Sequence, residues 1–311
     1  MTDFNCSIHP IKLLAPAKLG EGIFCDVDPL STNEEPCDSI YWVDILSDMV
    51  YNYRPHTGTA TISHIKDSNL FEGYISTITA LDNEHKRFLL SLRSGLVIWD
   101  KTTNQIERSE IVLPSTSLRF NDGKCDPNGI LWIGTTHLED QPGQASLYRF
   151  NPLEGVLQLQ QNNISISNGI AWSLDNTCMY FIDTPKRQIS IFRYNKQDST
   201  ILKDPTGMID LSDEKGVPDG MCIDNEGQLY VSMWDGYQVL KIDPIAKKVT
   251  HRVQLPVSRP TNVAISLSTG GRLYVTTSMI NEELNSGYLF QIDTYQSFLG
   301  VRPNYYKEAK K

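Results

Sequence analysis

Val217–Met233 reads VPDGMCIDNEGQLYVSM, and its punctuation decides the fold. Val217–Ile223 runs into the cluster Asp224-Asn225-Glu226-Gly227, and the apolar-rich Gln228–Met233 follows it. Asp, Asn and Gly tolerate the left-handed backbone of a tight turn, so this stretch predicts two antiparallel strands joined by a hairpin. The second run recurs as Ile40–Ile45 (IYWVDI), Phe88–Leu92 (FLLSL), Ile130–Thr135 (ILWIGT), Met179–Thr184 (MYFIDT) and Arg272–Thr277 (RLYVTT). Turn clusters precede these runs at Asp82–His85, Asp126–Gly129, Leu174–Thr177 and Ser268–Gly271, while the first copy has a longer connection from Asp28 to Asp38. The spacing of about 45 to 50 residues is the period of a propeller or solenoid.

Further strands, clearest at Gln188–Tyr194, Gln238–Asp243 and Tyr288–Asp293, extend each unit towards four. Four antiparallel strands per unit, repeated radially, is a propeller blade. No sustained 3.6-residue pattern competes with this reading. The expectation is an all-β, six-bladed β-propeller, a single domain over residues 1–311 around a central channel. The apolar segment Ile11–Ala15, in a strand near residues 11–17, is expected to join the last blade and close the ring.

The composition agrees. With 40% hydrophobic and 21% charged residues among 311, the chain has material for a core. Sixteen prolines and twenty glycines, spread along it, favour many short elements. A formal net charge of -9 with no internal basic run argues against a nucleic-acid partner. No apolar stretch is long enough to cross a bilayer, and the start lacks a basic-then-apolar signal, which points to the cytoplasm. The six cysteines show no CxxC spacing and read as small hydrophobes of a reduced protein.

One position precedes the first strand of every unit: Glu21-Gly22, Ile75-Ser76, Asn121-Asp122-Gly123, Asn168-Gly169, Asp219-Gly220 and Asn262. Asn-Gly and Asp-Gly also make hairpins. Here, however, the hairpin clusters lie about five to seven residues further on, judged against the usual hairpin signals. Equivalent blades would gather these residues at one end of the channel. Carboxylates sharing a dry channel raise each other's pKa, and a bound cation relieves them. An all-oxygen donor set favours a hard cation, Ca²⁺, Mg²⁺ or Mn²⁺, over Zn²⁺.

At LGEGIF (Leu19–Phe24), RFNDGKCDPNGILWIGT (Arg119–Thr135), ISNGIAWSLD (Ile166–Asp175) and VPDGMCIDNEGQLYVS (Val217–Ser232) the chain resembles the senescence-marker-protein/gluconolactonase/luciferin-regenerating family. The resemblance runs from about Leu19 to Ser278. It implies a six-bladed propeller with one catalytic divalent cation on Glu21, Asn168 and Asp219. It further implies substrate contacts from Arg119, Asn121 and Glu139. The chain departs at Gly134-Thr135-Thr136-His137, where many relatives read GTM, and at Asn262.

The resemblance, taken with these residues, implies a lactonase acting on a sugar-derived aldonolactone. The cation, Ca²⁺ first, would polarise the lactone carbonyl, with Glu21 and Asn168 as ligands and Asp219 as ligand and general base. The same centre could serve another ester or a phosphoester, or a non-catalytic calcium-binding protein. Neither a Ser-His-Asp pattern nor a Cys with a partner His suggests covalent catalysis.

Overall fold

The computed structural model describes residues 2–3, 5–32, 36–65, 73–113, 115–152 and 154–308. Its sheets form six antiparallel blades in chain order. The innermost strands are Gly20–Val27, Thr77–Ala80, Leu118–Cys125, Ser167–Trp172, Val217–Ile223 and Pro260–Ile265. Each touches the innermost strand of the blade on either side, so the ring is closed. The protein is a six-bladed β-propeller.

Within a blade, burial falls from the axis outwards. In the first blade every residue of Asp38–Asp44 is buried, whereas the outer strand Thr59–His64 is largely exposed. The second strands are the apolar runs of the sequence because both their faces meet neighbouring blades. The core accordingly divides into six clusters, one per interface between blades. Tyr41, Phe88 and Trp99 fill the cluster between the first and second blades. Trp132, Trp172 and Phe181 fill that between the third and fourth.

Three blades depart from the simple four-strand order. In the fourth, Thr200–Ile201 and Gly207–Asp210 share the outer position beside Gln188–Asn195. In the last, the outer strand comes from the other end of the chain: Ser7–Ile11 pairs antiparallel with Leu289–Asp293. The closing strand therefore lies upstream of the expected Ile11–Ala15 and shares only Ile11 with it. The expected segment is apolar but largely solvent-facing, with Leu13 56% exposed. Thr2–Asp3 adds a parallel edge to Lys248–Gln254 of the fifth blade.

The long connection of the first blade is closed by the Asp28 N–H donating to the Cys37 carbonyl at 2.7 Å. Residues 33–35 of it lie outside the described set. The six cysteines form no disulfide among the described residues. Among the described residues no helix is long and apolar enough to cross a membrane.

Candidate metal centre at one mouth of the channel

Five of the six innermost strands lose register with their neighbour at the same point. The slips fall between Glu21 and Phe24, Phe120 and Gly123, Ser167 and Ile170, Pro218 and Met221, and Pro260 and Val263. A β-bulge bends its strand and re-aims a side chain. Here the repeated bulge carries Asn121-Asp122, Asn168-Gly169, Asp219-Gly220 and Thr261-Asn262, with Glu21 at the edge of its own. The Asn-Gly and Asp-Gly pairs are thus bulges in inner strands rather than hairpin turns. The second blade pairs in regular register from Thr77 and offers no carboxylate there.

Glycine follows the functional residue because adjacent inner strands nearly touch. A Cβ on Gly169 would lie 2.6 Å from the Met221 Cβ. One on Gly220 would lie 2.1 Å from the Asn262 Cγ.

Glu21, Asp122, Asn168 and Asp219 are all buried. Burial, then the charge of Asp122, pushes the Glu21 carboxyl up to about 8. Burial and the charges of Glu21 and Asp122 push Asp219 well above the usual carboxylate range. Asp122 is raised by burial, with Lys124 opposing. Glu21 Oε2 accepts from the Gly22 N–H at 3.3 Å and from Asn262 Nδ2 at 3.4 Å. Asp219 Oδ1 is buried with no hydrogen-bond partner. A buried acceptor left unpaired costs free energy, and buried carboxylates need a counter-charge.

A divalent cation fits this pattern. Among the described residues no group of three or more His, Cys, Asp and Glu side chains could hold one ion. The family resemblance adds Asn168 as third donor beside Glu21 and Asp219, and an amide oxygen is compatible with a hard cation.

A directional hydrogen-bond chain links three blades at this mouth. Arg119 Nη1 donates to Asn121 Oδ1 at 2.8 Å and to the Phe120 carbonyl at 3.0 Å. Asn121 Nδ2 donates to the Ser167 carbonyl at 2.7 Å and to Asn168 Oδ1 at 3.1 Å. Asn168 Nδ2 donates to Thr184 Oγ1 at 2.8 Å, and the Thr184 hydroxyl donates to the Pro218 carbonyl at 2.8 Å.

The predicted residues thus divide. Glu21, Arg119 and Asp219 share one electrostatic field, and Arg119, Asn121 and Asn168 share one hydrogen-bond chain. Glu139 belongs to neither. It is exposed, its carboxylate accepting from Gln141 Nε2 at 3.4 Å and its N–H donating to His137 Nδ1 at 3.1 Å. The loop acid whose charge reaches the Arg119 guanidinium is its neighbour Asp140, at φ 52°. Thr184 and Asp140 were missed by sequence reasoning. The strand pattern marks Thr184 only as a good β-former, and no periodicity fixes the loop that carries Asp140.

Residues 19–279 match the family model described as the SMP-30/Gluconolactonase/LRE-like region. A Bacillus subtilis (strain 168) protein, YvrE, provisionally named a sugar lactone lactonase, is 34% identical over 270 residues, covering 84% of both chains. Regucalcin of Danio rerio is 36% identical over 190 residues, 60% of this chain and 63% of its own. Among solved structures, an Agrobacterium tumefaciens str. C58 regucalcin, titled a calcium-binding protein, superposes with a TM-score of 0.81 at 23% identity. The superposition covers 99% of each chain, and the two share the fold.

Proposed function

Because the chain belongs to the SMP-30/gluconolactonase/LRE-like family, we propose that it is a divalent-cation-dependent lactonase opening a sugar-derived aldonolactone. The observation that carries this reading is the partnerless Asp219 Oδ1 beside buried Glu21, at the channel mouth shared with Arg119. The resemblance to YvrE over most of both chains supports the substrate class.

Glu21, Asn168 and Asp219 would hold the cation, Ca²⁺ by donor chemistry, with Mg²⁺, Mn²⁺ or Zn²⁺ compatible. When bound, it supplies Lewis-acid polarisation of the lactone carbonyl. Arg119 is always charged and donates only, so it suits the hydroxyl and carbonyl oxygens of a polyol lactone. Asn121 has both ends of its amide engaged, and it acts by holding Arg119 and Asn168 in register. Asp219 takes the proton of the attacking water as the new C–O bond forms. The ring C–O bond then breaks, and its alkoxide recovers that proton to give the open hydroxy acid. Beside the substrate-contact role read for Glu139, Asp140 is a second candidate because its charge reaches Arg119.

The test is elemental analysis of the purified protein with a pH-stat screen of aldonolactones, wild type against Asp219→Asn. Wild type should turn over lactone in the presence of cation, and the variant should lose about 10²–10⁴-fold, the usual worth of a general base. Equal rates in the two proteins rule out the base role. Cation binding with no lactone opened under Ca²⁺, Mg²⁺, Mn²⁺ or Zn²⁺ rules out the lactonase reading and leaves a non-catalytic cation-binding protein.

A further inference from the structure

The ends of the hydrogen-bond chain fix its direction. Arg119 can only donate, and the Pro218 carbonyl can only accept. Asn121 must then turn Oδ1 to the guanidinium and Nδ2 to Asn168. Asn168 must accept through Oδ1 and donate through Nδ2 to Thr184 Oγ1, whose own proton goes to Pro218. Reversing the Asn168 amide would set its NH₂ against that of Asn121 and leave its carbonyl against a hydroxyl already needed as a donor elsewhere.

Thr184 is itself fixed. It is 8% exposed, and its N–H donates to the Ile166 carbonyl at 3.0 Å. It opens the short 3₁₀ turn Thr184–Lys186, whose preceding Asp183 carboxylate accepts from the Ser165 and Ile166 N–H groups, both at 3.1 Å. One hydroxyl therefore joins the Asn168 side chain of the fourth blade to the residue immediately before Asp219 in the fifth.

We infer that Thr184 is a positioning residue for the cation site. Its hydroxyl holds the Asn168 amide with Oδ1 on the acceptor side, and it sets the spacing between Asn168 and Asp219. The inference rests on the reading that Asn168 and Asp219 bind the cation. It adds a residue that touches neither cation nor substrate.

Calorimetric titration of chelator-treated protein with Ca²⁺ alone tests it, with thermal melts of each variant alongside. Thr184→Val keeps the shape and removes both hydrogen bonds, and Kd should rise about 10–100-fold, as for other losses of a group that orients a metal ligand. Thr184→Ser restores the hydroxyl and should restore wild-type affinity. Thr184→Ala reports the same loss as the Val variant if that protein does not fold. Unchanged Kd in Val or Ala, or a Ser variant as weak as they are, overturns the positioning role while the cation site stands. A wild type that binds none of Ca²⁺, Mg²⁺, Mn²⁺ or Zn²⁺ overturns the site and this role with it.

Discussion

A single methyl group at position 220 tests how tightly the site is built. A Cβ there would lie 2.1 Å from the Asn262 Cγ and 2.5 Å from its Nδ2, the donor that reaches Glu21. Neither Gly220 nor Asn262 is exposed, so the side chain must move or the inner strands must part. Gly220→Ala should cost on the order of 1–3 kcal/mol, the usual range for overpacking, and weaken Ca²⁺ binding. Urea melts and calorimetry check both, and a variant matching wild type in each would show that the blades can give there. The same tight packing explains what could be read in advance. The ring that holds Glu21, Asn168 and Asp219 was legible because its members sit a few residues before each turn, and the family motifs singled out these three. Thr184 was not, because its role exists only once the fourth and fifth blades lie side by side. Glu139 and Asp140 are adjacent on an exposed loop, and no strand periodicity tells which of the two charges reaches Arg119.

At the scale of elements, the six second strands were legible because burial on both faces demands unbroken apolar runs. The strand that closes the ring was not. Ser7–Ile11 carries His9 and Pro10 and is only partly buried, so its sequence signals a strand weakly. Pro10 is tolerated because an outer strand pairs on one side only. Ile8 and Cys6 pack against the cluster of Val263, Phe290 and Phe298, which gives the segment its hold. Deleting residues 1–11 should uncover the pairing edge of Leu289–Asp293. Exposed edges invite association with other chains, so the expected outcome is a lower Tm together with concentration-dependent aggregation. Light scattering during a melt reads both. A truncated chain that stays monodisperse with an unchanged Tm would mean that the ring holds without its outermost strand.

Across the whole molecule, the end of the channel away from the candidate metal centre is covered by the chain's last described residues. Leu299 and Asn225 exchange hydrogen bonds at the fifth blade, and the Gly300 N–H donates to Ser266 O at the sixth. Asn304 Nδ2 donates to the Cys125 carbonyl of the third blade, and the Tyr306 N–H to the Ala80 carbonyl of the second. A cavity of about 270 Å³ remains between this strap and the inner strands, lined in part by Trp172, Ile265, Val301 and Pro303. The strap's ionic anchor is Asp26 of the first blade, fully buried. It accepts from Arg302 Nε at 3.0 Å, His85 Nε2 at 2.9 Å and the Tyr305 hydroxyl at 2.5 Å. Burial alone would raise this carboxyl, but the bonds from His85 and Tyr305 outweigh it and hold it below its ordinary 3.8. A depressed carboxylate contributes stability that is present above its unfolded pKa and is lost as pH falls through the folded value. The strap should therefore resist acid-active protease at neutral and mildly acid pH and become cleavable only below about 3.8, the ordinary value. Asp26→Asn removes the charge at every pH and should lower stability by roughly 1.5–3 kcal/mol, the worth of a hydrogen bond to a charged group. In that variant the strap should exchange its amide protons faster at pH 7 than the inner strands do. Equal protection of residues 300–308 in variant and wild type would mean that the backbone bonds to Ser266, Ala80 and Gly129 hold the strap without its buried charge.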